Sequence, residues 1–95
     1  MFFEKFKKDY EKIIEHKGGE NQVVKVIEEM AELTIELISE KGNDVDKIAG
    51  EISDLFNMLN QMLLVFDIPV EVIQGIMEQK NERVLNRIKE ERRSK

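Results

Sequence analysis

The sequence has no cysteine, one proline, one histidine and five glycines among 95 residues. Without cysteine there is no disulfide framework, no thiol nucleophile and no zinc ribbon. The single histidine, His16, cannot supply the paired Glu-x-x-His ligands of a ferritin-like di-iron bundle. It stands just before Lys17-Gly18-Gly19, as a residue at a helix C-terminus does. So little proline and glycine leaves room for long uninterrupted helices. The chain also lacks a glycine-rich phosphate loop and any Ser/His/Asp or Cys/His nucleophile pairing. Its longest apolar run, Met62-Leu63-Leu64-Val65-Phe66, is far too short to cross a bilayer. Glu4, Lys5, Lys7 and Lys8 interrupt the N-terminal stretch, which leaves no signal-peptide apolar core. The expectation is therefore a cytoplasmic protein with no membrane partner.

What is present is charge and apolar periodicity. Hydrophobic residues make up 41% and charged residues 37% of the chain, a balance that predicts one folded, strongly helical domain over residues 1–95. A domain this small buries a limited fraction of its surface by itself, so self-association is expected. The net charge of −5 is unevenly placed: residues 18–78 carry 13 acidic and 3 basic side chains, residues 79–95 carry 3 acidic and 7 basic. An acidic centre with a basic end argues against nucleic acid as a partner. It suits a metal flanked by phosphate-binding cations.

Periodicity divides the chain into four helices. The first covers residues 2–16, where Phe3, Phe6, Tyr10, Ile13 and Ile14 recur at three- and four-residue steps. Four of the six aromatic residues lie here (Phe2, Phe3, Phe6 and Tyr10), mainly as a core stripe, with a ring available to stack on a base. Gly18-Gly19 ends this helix. The second covers 21–40, with Asn21 as its cap and apolar residues over most of its circumference, so that burial on most sides is expected. Residues 41–46 form a short turn, with Asp44 or Asp46 capping the next helix, and a turn this short makes the flanking helices antiparallel neighbours. The third helix covers 47–66, with an apolar face of Ile48, Ile52, Leu55, Leu59, Met62, Leu63 and Phe66. Asp67-Ile68-Pro69 breaks it, with Pro69 at the first position of a fourth helix over 70–92. Lys80 and Arg87 fall inside the apolar stripe of this last helix and Arg83 at its edge, where buried cations need anionic partners. Residues 89–95 read as a frayed tail. The expected fold class is all-α: a bundle of about four helices around an antiparallel central pair, completed by oligomerisation.

The chemistry concentrates in residues 28–54. Glu29-x-x-Glu32 on the second helix and Glu51-x-x-Asp54 on the third each place two carboxylates one turn apart on one face. Two antiparallel helices carrying such pairs bring four carboxylates together, and four like charges repel unless a cation lies between them. On the second helix Glu28, Glu29, Glu32, Glu36 and Glu40 share a stripe with one cation, Lys25, and Glu32/Glu36 and Glu36/Glu40 are like-charged neighbours. The bland alternative is a solvated acidic face. An oxygen-only ligand set favours Mg²⁺ or Mn²⁺ over zinc or iron. Asn57, Asn60 and Gln61 add amides along the third helix, either as an outer polar face or as the lining of a pocket.

Gln22, then Glu28-Glu29-Met30-Ala31-Glu32-Leu33, then Glu51-Ile52-Ser53-Asp54-Leu55, resembles the MazG-like branch of the all-α NTP pyrophosphohydrolases. Eighteen residues separate Glu32 from Glu51, a spacing typical of that family. The basic segment Lys80-Asn81-Glu82-Arg83-Val84-Leu85-Asn86-Arg87-Ile88 is similar to the corresponding one in its members. The resemblance covers roughly residues 20–88. It implies a Mg²⁺-dependent enzyme, with Mn²⁺ a possible substitute, that hydrolyses an NTP between the α- and β-phosphates to NMP and pyrophosphate, a house-cleaning activity on the nucleotide pool. It implies Glu29, Glu32, Glu51 and Asp54 as metal ligands, and Glu28 or Glu29 as the group that orients or deprotonates water. Lys80, Arg83 and Arg87 would be phosphate ligands, and Gln22, Asn57, Gln61 and Tyr10 nucleoside contacts. It further implies a homo-dimer or homo-tetramer. The alternative is a helical oligomerisation or interaction module without chemistry.

Overall fold

The computed structural model describes residues 3–39 and 41–94; Phe2, Glu40 and Lys95, all within the expected elements, lie outside the described residues. Four helices succeed one another: α1 (Phe3–Lys17), α2 (Gly19–Leu37), α3 (Val45–Val65) and α4 (Val70–Arg93). There is no strand among the described residues. The fold is an all-α helical bundle, as the periodicity leads one to expect.

The breaks between helices reflect local chemistry. Gly18 alone separates α1 from α2, with φ of 90°, a conformation that costs a side-chain-bearing residue and not glycine. It serves as the N-cap of α2 without a side-chain acceptor. Asn21 therefore does not cap α2 as expected. It lies inside the helix, and its amide reaches back to the Lys17 carbonyl at 2.6 Å. After α2, Gly42 turns the chain with φ of 91°. Asp44 then caps α3, its carboxylate accepting from the Lys47 backbone N–H at 3.2 Å, in the manner of Asp at N-caps generally. Asp67 adopts φ of 53° just beyond α3, a region that Asp and Asn tolerate better than other side chains. Pro69 is the N-cap of α4, one position before the expected one, with an extended ψ of 138°. At the far end α4 remains helical to Arg93, so the charged tail is a continuation of the helix and not a frayed segment over most of its length.

Packing is unequal. The most extensive pairing is α2 against α3, and α1 lies across both. Lys47 on α3 holds Glu36 on α2 at 3.2 Å. Phe3, Leu63 and Val70 form a small apolar core, with Leu64, Ile68 and Ile73 against it. This core fixes only the first turn of α4. The chain bends by 120° between α3 and α4, and the rest of α4 stands away from the bundle. The radius of gyration is 16.9 Å, whereas a compact chain of this length has about 12 Å.

The faces turned inward differ from those the pattern selects. On α3, Leu63 of the expected apolar face is buried and Ile48, Leu55 and Met62 are half-buried, while Ile52, Leu59 and, just past the helix, Phe66 are exposed; Met58, Asn60 and Gln61 are buried in their place. On α2, Gln22, Val26 and Glu29 are buried, while Val24, Ile27, Met30 and Ile35, and Ile38 just past its end, are exposed. The expected burial of α2 on most sides does not occur within one chain. The physical reason is a polar seam. The Tyr10 hydroxyl donates to Asn57 Oδ1 at 2.9 Å and accepts from Asn60 Nδ2 at 3.2 Å. Gln22 Nε2 donates to Gln61 Oε1 at 2.7 Å. Gln61 also donates to Met58 Sδ within α3 at 3.8 Å, and Asn60 Oδ1 is left without a partner, but the cross-helix pairs help decide which sides of α1, α2 and α3 meet.

Tyr10→Phe tests that seam. The phenol is 3% exposed, and its loss leaves the Asn60 amide without a partner, at a cost of about 1–3 kcal/mol. Urea unfolding should show a lower midpoint with unchanged slope; an unchanged midpoint would mean that the seam does not hold α1 in place.

Candidate metal centre and adjoining pocket

The antiparallel packing of α2 on α3 brings together one carboxylate oxygen from each of Glu29, Glu51 and Asp54, all within 4.8 Å of one another. Glu29 is buried at 5% exposure, Glu51 is half-buried and Asp54 is exposed. The remaining member of the expected four, Glu32, is exposed and outside that spacing, though its charge still acts on Glu51. Glu28 points outward, 3.8 Å from Lys25.

Two oxygens in this cluster, Glu29 Oε2 and Glu51 Oε2, are out of contact with water and have no hydrogen-bond partner. Burying a carboxylate oxygen without a donor is costly, and here a second carboxylate lies beside it. Glu51 bears the result. Removal from water, then the charges of Glu32, Glu29 and Asp54, push its carboxyl above the ordinary range, with Lys47 opposing them weakly. The donor set, carboxylate oxygens alone, fits a hard divalent cation such as Mg²⁺ or Mn²⁺.

The acidic stripe of α2 is better balanced than its composition suggests. Lys25 Nζ lies 3.1 Å from Glu29 Oε1, and hydrogen bonding to Glu29 raises the lysine above its usual value. Lys47 pairs with Glu36 from the neighbouring helix.

A pocket of about 410 Å³ opens beside the cluster. Glu29 and Asp54 line it at the carboxylate cluster; Asp9, Gln22, Asn57, Met58, Gln61 and Tyr10 line it as well, with Phe6 and Ile13 as its apolar wall. The four side chains that the family resemblance implies as nucleoside contacts thus share one cavity with two of the implied metal ligands. The three implied phosphate ligands do not. Lys80, Arg83 and Arg87 are exposed on α4 and are not among the residues lining the pocket. Their expected burial on an inner face fails because α4 leaves the bundle after its first turn. The cations that do line it are Lys17 and Lys25, which the motif pattern does not single out. Lys25 was legible in principle, since a lysine four residues before Glu29 faces it on any helix.

No known family model, curated protein or solved structure matches the chain. Among the described residues no single helix is long and apolar enough to cross a membrane.

The raised Glu51 carboxyl carries a pH signature. A proton taken up more readily by the folded than by the unfolded chain stabilises the fold at low pH, and that stabilisation is lost as pH rises through the folded value. In metal-free protein, Glu51→Gln should therefore gain melting temperature over the native chain at neutral pH. It should lose that advantage below about pH 4, the ordinary range of a Glu carboxyl, where Glu51 is protonated in both states. Parallel melting curves across this range check it; a pH-independent difference would mean that Glu51 is not held against its neighbours' charge.

Proposed function

We propose that this chain is a Mg²⁺-dependent nucleoside triphosphate pyrophosphohydrolase, acting on an NTP or dNTP to give NMP and pyrophosphate. The observation that carries the reading is the union, in one cavity, of Asp54 and the buried Glu29, one oxygen of which has no donor, with a wall of amides, a phenol and apolar side chains. The acidic end suits a metal–polyphosphate and the other end suits a nucleoside, whose rings offer apolar faces and whose edges offer donors and acceptors.

In this reading Glu29, Glu51 and Asp54, with Glu32 at the margin, hold Mg²⁺, which when bound neutralises charge on the phosphate oxygens. Water adds to phosphorus, the bond to the oxygen bridging the α- and β-phosphates breaks, and the proton of the water passes to a carboxylate of Glu28 or Glu29. Gln22 and Gln61, already paired to each other at 2.7 Å, and Tyr10 with Asn57 provide a pre-ordered surface for the nucleoside. Their mutual hydrogen bonds lower the entropy cost of holding a ligand there.

The assembly in this reading is a homo-oligomer. Large apolar side chains stand exposed along α2, α3 and α4, among them Ile27, Ile35, Phe56, Phe66, Val84 and Leu85. Extensive apolar surface of this kind is uncommon on a lone domain. Lys80, Arg83 and Arg87 then reach phosphates from the α4 of a neighbouring protomer. The same exposed surface also favours the second reading, a helical interaction module without chemistry.

Pyrophosphate release over a panel of common and modified NTPs and dNTPs, with and without Mg²⁺, separates the two. The enzyme reading expects turnover that needs Mg²⁺ or Mn²⁺ and falls to background in Glu51→Ala and Asp54→Ala with helicity intact. Mg²⁺ alone should raise the native chain's melting temperature, by the equivalent of about 2.7 kcal/mol at a hundredfold excess over Kd. Turnover unchanged in both variants would sink the metal assignment, and a melting temperature indifferent to Mg²⁺ would favour the interaction module.

A further inference from the structure

Lys25 touches the carboxylate cluster directly, and its placement has a consequence for how the site is loaded. It sits one helical turn before Glu29, contacts Glu29 Oε1 at 3.1 Å and lines the same cavity as Asp54. Glu29 is more than nine-tenths buried, and its other oxygen, Oε2, has no partner at all. The lysine therefore neutralises part of a buried carboxylate that would otherwise stand uncompensated beside Glu51 and Asp54. Unlike Glu29, the Lys25 side chain is 44% exposed, and a four-carbon stem with that much contact with water has rotamers that leave the contact.

We infer that Lys25 is an exchangeable counter-ion: it holds Glu29 in the metal-free protein, yields that carboxylate to the divalent cation, and turns into the cavity to hold a substrate phosphate. The inference rests on the metal-and-polyphosphate reading and adds a residue and an order of events to it. Charge drives the exchange. Three carboxylates with one ammonium leave a net negative site that attracts a divalent cation. Once the cation has joined Glu29, Glu51 and Asp54, the ammonium is repelled by it and is no longer needed by Glu29. A polyphosphate arriving at the same mouth is the strongest anion within reach of the freed lysine. Lys25 thereby supplies, within one protomer, a cation at the phosphate end that α4 of the same chain does not bring to the cavity. Glu28, 3.8 Å away and exposed, gives the ammonium a second carboxylate to rest on during the change.

Two binding measurements test this without reliance on turnover. In calorimetry with Mg²⁺ alone, Lys25→Met should bind the ion about three- to tenfold more tightly than the native chain, because a competing unit charge in a partly screened site has been removed. With Mg²⁺ saturating, inorganic tripolyphosphate should bind Lys25→Met about tenfold more weakly, as loss of one charge-assisted contact predicts, and Lys25→Arg should restore it. A lysine that served only the stability of α2 would leave tripolyphosphate binding unmoved. Should Lys25→Met fail to fold, the ¹⁵Nζ resonance of Lys25 in the native chain reads the same event: a shift that tracks Mg²⁺ occupancy supports exchange, and a signal that does not move overturns it. Unchanged or weaker Mg²⁺ binding by a folded Lys25→Met also overturns it while leaving the metal centre standing. No Mg²⁺ binding by the native chain would remove the metal reading and this inference together.

Discussion

Between α2 and α3, Glu29 and Glu51 bring carboxylate oxygens within 4.8 Å of one another, and each keeps one buried oxygen, Oε2, without a donor. Nothing in helix propensity asks for this. It is imposed by the antiparallel packing of the two most extensively paired helices, which is fixed at one end by the Asp44 cap and the Lys47–Glu36 ion pair. Each of those contacts is modest alone, since exposed caps and ion pairs contribute on the order of 1 kcal/mol. Together with the α2–α3 interface they draw Glu51 away from water and hold like charges beside it, and both raise its carboxyl. Strain of that kind is relieved by a cation, and the structure has a partial one of its own in Lys25.

The interior between α1, α2 and α3 is unusual in being stitched by amides and a phenol. Gln22, Asn60, Gln61 and Tyr10 are each 3% exposed. A paired buried polar network fixes register more strictly than apolar packing does, because a misplaced amide loses its partner. That strictness has a use next to a cavity, where Tyr10 and Asn57 share the lining with Glu29 and Asp54. It also displaces apolar residues outward. Ile52, Leu59 and Phe66 on α3, and Ile27 and Ile35 on α2, lie at the surface of the single chain because the seam has claimed the inner side.

α4 departs from the bundle at the 120° bend after α3. Its first turn is anchored by Val70 and Ile73 against Phe3, Leu63 and Ile68. Val72, Ile76, Met77, Val84 and Ile88 are left exposed along a helix that continues to Arg93. In the proposed assembly this arm is what a neighbouring protomer would cover.

The sequence by itself determined that the chain is four helices, where they break, and which residues share a helical face. These features arise from a 3.6-residue period, a shortage of proline and glycine, and the turn chemistry of Gly18, Gly42, Asp44 and Pro69, all of which act over a few residues. It also determined that Glu29 and Glu51-x-x-Asp54 would approach one another, because a short turn makes two helices antiparallel. What only the tertiary structure decided is which face turns inward. Periodicity names a face but not its direction, and on α3 two faces competed, one apolar and one carrying Asn57, Asn60 and Gln61. Cross-helix hydrogen bonds, invisible in either helix alone, turned Asn60 and Gln61 inward, with Leu63 of the apolar face still in the core. The same choice drew Glu29, Glu51 and Asp54 together while leaving Glu32 outside their spacing, and put Lys25 where Lys80, Arg83 and Arg87 were expected. A local pattern sets what each helix can offer; the satisfaction of buried polar groups across helices set which offers were taken up.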